Sequence, residues 1–265
     1  MTTYLVAGAR DVDAGKTTFS VGLLAHIGGT GFKPRASNDI WFHHDDYHRA
    51  IAEGGLHGTD ARQLAAASAA DVGPEAINPI HRLWRPAPEG DGFIGAAERA
   101  FVLDRVGDGF VVNASAEVPR SAVKRLSLAD APRIDGIDAL NEQIRMRHLP
   151  HLRALASRVA ERDRAVVESY GDIARPLREM TPDRVAVVEP GRARMYDGER
   201  YWRACEVAGG RAGLQTGRLE ERVADVVAPI EPVATASLPP LGNEAQTDPD
   251  AVADAYAPAY EALVE

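Results

Sequence analysis

The chain has 265 residues, 45% hydrophobic and 26% charged, which allows one large domain or two small ones around a sizeable core and excludes a disordered or fibrous chain. A formal net charge of −9, with no basic patch along the sequence, argues against a nucleic-acid partner, because such binding rests on neutralising phosphates. No apolar run reaches the roughly 18 residues that span a bilayer, the opening Met1-Thr2-Thr3 lacks the basic segment of a secretory signal, and Cys205 is the lone cysteine, so a cytoplasmic protein without a membrane partner is expected.

In chain order, Thr3 to Ala7 is a short β-rich run that enters a glycine-containing loop. Residues 16–27 read as a helix with Phe19, Leu23, Leu24 and Ile27 on one side, ended by Gly28, Gly29 and Gly31. Residues 31–36 read as a second strand or its end, 59–71 as an Ala-rich helix, and 74–88 as a Pro-rich stretch. Phe101-Val102-Leu103, a Gly107-Asp108-Gly109 turn and Phe110-Val111-Val112 predict a hairpin. Residues 137–163 predict a helix interrupted near Pro150. Ala165-Val166-Val167-Glu168 and Val185-Ala186-Val187-Val188 are apolar runs of the kind buried on both faces of a parallel sheet. A further hairpin is expected over 193–207, turning at Asp197-Gly198, then a helix over 218–228, a last strand at Val233–Leu238 and a terminal helix over 249–264. Strands alternating with helices predict an α/β fold, a mostly parallel sheet with helices on both faces. The expectation is a single domain over 1–265, with β-hairpin insertions at about 93–116 and 193–207.

The loop after the first strand carries the clearest chemistry. Residues 8–18 read Gly-Ala-Arg-Asp-Val-Asp-Ala-Gly-Lys-Thr-Thr. A tight loop before a helix turns several backbone N–H groups inward, and with the helix dipole they form an anion site suited to phosphates. Lys16 would reach the β- and γ-phosphates, the Thr17 hydroxyl would ligate Mg²⁺, and Gly15 would let the backbone approach without a Cβ clash. This is the pattern of a P-loop NTPase, with Ala9, Arg10, Asp11, Val12, Asp13, Ala14, Gly15, Lys16, Thr17 and Thr18 as the expected cofactor-binding set. Arg10 stands where the strict pattern has glycine. Of 30 basic side chains only Lys16, Lys33 and Lys124 are lysines, and two of them fall in candidate motifs, as expected where an ammonium group is specifically required. The chain lacks an Asn-Lys-x-Asp guanine reader, so ATP rather than GTP is the expected cofactor.

Asp13-Ala14-Gly15-Lys16-Thr17 resembles the loop of dethiobiotin synthetase and of the ATP-binding domain of the cobyric acid and cobyrinate diamide synthases. Three further segments resemble those families in the same order: Phe32-Lys33-Pro34; Gly58-Thr59-Asp60-Ala61 with Asn78-Pro79 and Arg85-Pro86-Ala87-Pro88; and Val167-Glu168-Ser169-Tyr170-Gly171 with Pro176-Leu177. Together they run across residues 5–177. Ser169 and Tyr170 stand where those families have Gly-Ala, and Asp172 where they have a second glycine, so the substrate does not carry over. The resemblance implies an Mg-ATP-dependent enzyme that phosphorylates a carboxylate or carbamate of a small molecule, and a homodimer. The alternative is a regulatory nucleotide-switch ATPase acting on a protein partner.

Glu168, ending a buried strand, is expected to ligate Mg²⁺ with Thr17 and Asp60. The resemblance implies that Lys33 is a second cation near the reacting group, where it would stabilise charge on a transferred phosphoryl group, and Asp11 or Asp13 would hold a catalytic water or the metal. Catalytic roles are therefore expected for Lys16, Lys33 and Asp11. His43-His44-Asp45-Asp46-Tyr47-His48 has metal-ligand chemistry without a closed zinc spacing, so a polar surface loop is the default. Asn78 and Pro79 are expected to shape a loop near the substrate, and Asn113 and Asn243 are candidate base contacts. Trp41, Trp84 and Trp202 are expected to pack.

Overall fold

A computed structural model of the chain describes residues 1–10, 14–87, 98–211 and 220–265. The elements run β1 (Thr2–Gly8), α1 (Lys16–Ile27), β2 (Thr30–Phe32), β3 (Arg35–Asp39), α2 (His44–Ala52), α3 (Thr59–Ala67), α4 (Pro74–Ile77) and β4 (Ile80–Pro86). There follow β5 (Arg99–Val106), β6 (Gly109–Asn113), α5 (Arg120–Arg125), β7 (Arg133–Ile134), α6 (Ile137–Gln143), a π-helical turn (Ile144–His148) and α7 (Leu149–Ala160). The last part holds β8 (Arg164–Glu168), β9 (Arg184–Glu189), β10 (Arg192–Asp197), α8 (Gly198–Arg211), α9 (Val223–Val227), β11 (Ala234–Ser237), α10 (Asn243–Thr247), α11 (Pro249–Ala255) and α12 (Ala257–Val264). The fold is α/β, and no helix of the described residues is long and apolar enough to cross a membrane. Where sequence reading expected one domain, the chain divides into two compact units: Met1–Pro34, Gln63–Val72 and Ala156–Glu265, then Arg35–Arg62 and Gly73–Leu155.

The first unit is built on a six-stranded sheet in the order β11-β10-β9-β1-β8-β2. β1 runs parallel to both β8 and β9, and β2 runs parallel to β8, while β10 and β11 close one edge antiparallel. The apolar runs of β1, β8 and β9 are fully buried, as two-sided cover of a parallel sheet requires. Helix α1 is buried through Phe19, Leu23 and Leu24. Its Gly22 lets the C-terminal helices come close: a Cβ there would stand 2.4 Å from the Tyr260 hydroxyl and 2.5 Å from Val252. Tyr260 packs edge-on against Phe19 at 4.9 Å and donates to the Phe19 carbonyl at 2.9 Å, so α1 is held along its length.

The expected hairpin over 193–207 is corrected. Its first half is β10, but Asp197-Gly198 starts α8 rather than a β-turn. The Arg200 N–H donates to Asp197 Oδ1 at 2.9 Å as an N-cap, and Tyr201, Trp202 and Cys205 are buried at helical spacing. Gly198 is required by close packing, since a Cβ would lie 1.8 Å from the Pro182 carbonyl oxygen. The hairpin is instead β9–β10, turning at Gly191 with φ 80°. The expected interruption near Pro150 takes the form of the π-helical turn Ile144–His148, which separates α6 from α7; Pro150 itself lies in the first turn of α7.

The second unit holds a five-stranded sheet, β3-β4-β5-β6-β7, in which β5 and β6 form the expected hairpin through Gly107 and Gly109. Tyr47, Ile51 and Leu56 cover Leu83, Leu103 and Val112 on one core. Buried Arg105 ties the edges together by donating to the carbonyls of Leu56 at 2.7 Å and Gly107 at 3.1 Å, and to Asn78. Asp104 takes both arms of the Arg82 guanidinium at 2.7 Å and one nitrogen of His148 at 2.9 Å, which holds its carboxyl far below the usual range. Next to Arg105 across the ladder stands His81, fully enclosed, with neither ring nitrogen hydrogen-bonded among the described residues. Burial first, then the charges of Arg105 and His57, lowers its pKa from 6.5 to about 3.

His81 is thus neutral in the fold, while the unfolded chain takes up its proton below pH 6.5. The folded state binds fewer protons between those two values, so its stability is complete above the unfolded pKa and falls as pH drops, at a slope near ~1.4 kcal/mol per pH unit. Urea midpoints measured from about pH 7 down to about pH 4.5 are expected to fall, and His81→Leu to flatten that profile. Parallel profiles for the two proteins would refute the assignment.

Candidate functional site

The site in the first unit grows from strand order. β1 lies between β8 and β9, and its carboxyl end leads directly into the loop before α1; the Ala9 N–H donates to the Val188 carbonyl at 2.9 Å. Gly15 caps α1 in the left-handed conformation, φ 81°, a geometry that glycine adopts without strain. Among the described residues no side chain caps this helix terminus. The first-turn N–H groups and the positive end of the helix dipole are therefore suited to an anion. The Lys16 arm folds back across the start of the loop. A Cβ on Gly8 would stand 2.7 Å from its ammonium nitrogen, which makes Gly8 a site residue that the motif reading passed over. Lys16 Nζ donates to the Gly171 carbonyl at 2.9 Å.

Register brings the next group in. Phe32 pairs with Val167, and Val6 with Glu168, so the residue after β2 and the last residue of β8 come level at the carboxyl edge of the sheet. Glu168 is completely buried. Its Oε1 accepts from the Thr17 hydroxyl at 2.9 Å and pairs with the Lys33 ammonium, which also donates to the Ser169 carbonyl at 3.3 Å. Oε2 has no hydrogen-bond partner among the described residues. The cluster thus offers a hydroxyl and a buried carboxylate oxygen beside two ammonium groups. A hard-oxygen donor set of this kind fits a small divalent cation, and the ammonium groups with the helix terminus fit an anion.

A cavity of about 320 Å³ opens beside the same helix terminus, lined by Gly15 and Thr18, Pro190 and Gly191, the Leu238–Leu241 run and Tyr256. Gln246 orders that run by donating to the Leu241 carbonyl at 2.7 Å. Sequence reasoning missed this wall; its one signal was Pro239-Pro240 directly after the last strand.

The remaining expectations divide. Asp11, Val12 and Asp13 lie outside the described residues. Asp60 belongs to the second unit, in the first turn of α3, where its charge acts on His81. Asn78 is a structural residue, donating to the Ile80 carbonyl at 3.0 Å and accepting from Arg105. Asn113 is one as well: it donates to the Phe101 carbonyl at 2.7 Å and accepts from Ser115, so its amide is used within its own sheet. Asn243 opens α10, the helix that carries Gln246. The His43–His48 run starts α2, with Asp46 accepting from Thr59. No group of three or more metal-ligating side chains occurs among the described residues. Trp84 and Trp202 pack, but Trp41 is exposed.

The sequence matches no protein-family model, and no curated protein matches it.

Removing one partner of a buried ion pair leaves the other charge uncompensated, at a cost of about 3–5 kcal/mol. Lys33→Met is expected to lose stability on that scale in urea unfolding, and Lys33→Met with Glu168→Leu to recover most of it. Additive losses in the double variant would show that the two groups do not act as a pair.

Proposed function

We propose that the first unit binds Mg-ATP at the amino end of α1 and transfers the γ-phosphoryl group to a carboxylate or carbamate of a small molecule. The carrying observation is the convergence of Thr17, Lys33 and the buried Glu168 beside a glycine-capped helix terminus that bears Lys16. This is the arrangement that P-loop chemistry asks for, and the resemblance to dethiobiotin synthetase names the reaction class. Lys16 and the first-turn N–H groups would hold the phosphates. Glu168 and Thr17 would hold Mg²⁺, which when bound neutralises charge on the transferred group. Oε2 of Glu168, which has no hydrogen-bond partner among the described residues, is the oxygen that such an ion would use. Lys33 then has two tasks: it offsets the Glu168 charge and stands ready to stabilise charge on the moving phosphoryl. The neighbouring cavity has room for a nucleoside base, with apolar walls from Leu238, Pro239 and Pro240. Little covalent chemistry is asked of these residues; positioning and fixed charge supply the catalysis.

Phosphate release from Mg-ATP is the direct assay, run with and without a panel of small carboxylates and diamines. Turnover should rise with one member of the panel and fall about 100-fold or more in Lys16→Ala. Tight ATP binding with slow turnover indifferent to every compound would instead support a nucleotide switch.

A further inference from the structure

The segment after β8 reads Ser169-Tyr170-Gly171-Asp172, with larger side chains where the resembling families have small residues. The structure gives two of those side chains, Tyr170 and Asp172, partners. The Tyr170 hydroxyl donates to Glu220 Oε2, and Asp172 pairs with Arg222. The backbones join as well: Val223 N–H donates to the Asp172 carbonyl at 2.8 Å, Ala174 N–H to the Glu221 carbonyl at 2.8 Å, and Ile173 bridges Arg222. At the other end the Ser169 N–H donates to the Val6 carbonyl at 2.9 Å, continuing the ladder of β1. The turn is therefore fastened on both sides. In its middle Gly171, at φ 51°, directs its carbonyl to Lys16 Nζ.

We propose that Tyr170, Asp172, Glu220 and Arg222 are positioning residues for Lys16: they clamp the 169–172 turn so that the Gly171 carbonyl holds the ammonium group where terminal phosphates bind. The inference rests on the nucleotide reading above. A lysine arm has high rotamer freedom, and ordering it before the ligand arrives removes that cost from binding. A carbonyl suits this task better than a carboxylate, because it accepts a hydrogen bond without cancelling the charge the phosphates need. Oε1 of Glu168 is taken up by Thr17 and Lys33. Arg222 has a second effect: it offsets Asp172, whose charge near the site would otherwise repel an anion.

The test is equilibrium binding of ATP, ADP and AMP, with Mg²⁺, to the wild-type chain and to Tyr170→Phe, Arg222→Ala and the reversed pair Asp172→Arg with Arg222→Asp. Melting curves confirm that each is folded, and Tyr170→Phe removes only a hydroxyl. Tyr170→Phe and Arg222→Ala should each weaken ATP and ADP binding about twofold to fivefold, the scale of a partly exposed polar pair. AMP binding should not change, since it lacks the phosphates Lys16 would meet, and the reversed pair should regain most of the loss. Equal losses for AMP and ATP would mean that the clamp is merely structural, and unchanged ATP binding would mean that it does not reach Lys16; either overturns the proposal while the nucleotide reading stands. A wild-type chain that binds none of the three nucleotides overturns both.

Discussion

A carboxylate shut away from water needs partners, and Glu168 is fully enclosed at the carboxyl edge of the central strands. Thr17 and Lys33 supply two of them, and each arrives from a different element: the first turn of α1 and the residue after β2. Strand order makes this meeting obligatory. β8 sits between β1 and β2, so the segments leaving β1 and β2 converge on the end of β8. The compensation of one buried charge therefore ties three segments together and gives the edge of the sheet a defined electrostatic character. The second oxygen of the carboxylate has no hydrogen-bond partner among the described residues.

The helix that carries Lys16 and Thr17 is positioned as firmly as the strand. Gly22 permits a contact with Tyr260 and Val252 that any side chain would block, and the Tyr260 hydroxyl reaches the backbone carbonyl of Phe19. The C-terminal helices α11 and α12 thus set the depth at which α1 lies, and with it the position of its amino terminus. The wall of the neighbouring cavity comes from the same part of the chain, through Leu238–Leu241 and Tyr256. A precise site built on packed elements loses less to motion than one built on loops.

The second unit uses a different solution for buried charge. Arg105 is satisfied largely by backbone carbonyls, and Asp104 by Arg82 and His148, so the sheet and the segments beside it are joined by strong polar contacts as well as by the apolar core. His81 is the exception, held neutral first by its burial and then by the charges of Arg105 and His57.

The sequence by itself determined the local elements with strong periodicity or strong punctuation. The buried apolar runs of β1, β8 and β9 are continuous, and the β5–β6 turn is marked by Gly107 and Gly109; the helix after Gly15-Lys16-Thr17 is legible as a helix, but the one apolar side expected of it is not what the structure has, since Phe19 to Leu24 are buried at consecutive positions around it. It also singled out Lys16 and Thr17 by the phosphate-loop pattern, Glu168 by its place at the end of a buried strand, and Lys33 by the scarcity of lysine together with the family resemblance. Reading Asp197-Gly198 as a turn failed because the same pair caps a helix as readily as it turns a hairpin; the choice fell to the packing of Tyr201, Trp202 and Cys205 and to the closeness of Pro182. Only the tertiary structure decided that Lys33 pairs with Glu168, that Gly171 receives Lys16, that Asp60 belongs to the second unit, and that the Leu238–Leu241 run faces the start of α1. These are contacts between residues far apart along the chain. They depend on strand order and register, which local propensity and spacing do not encode.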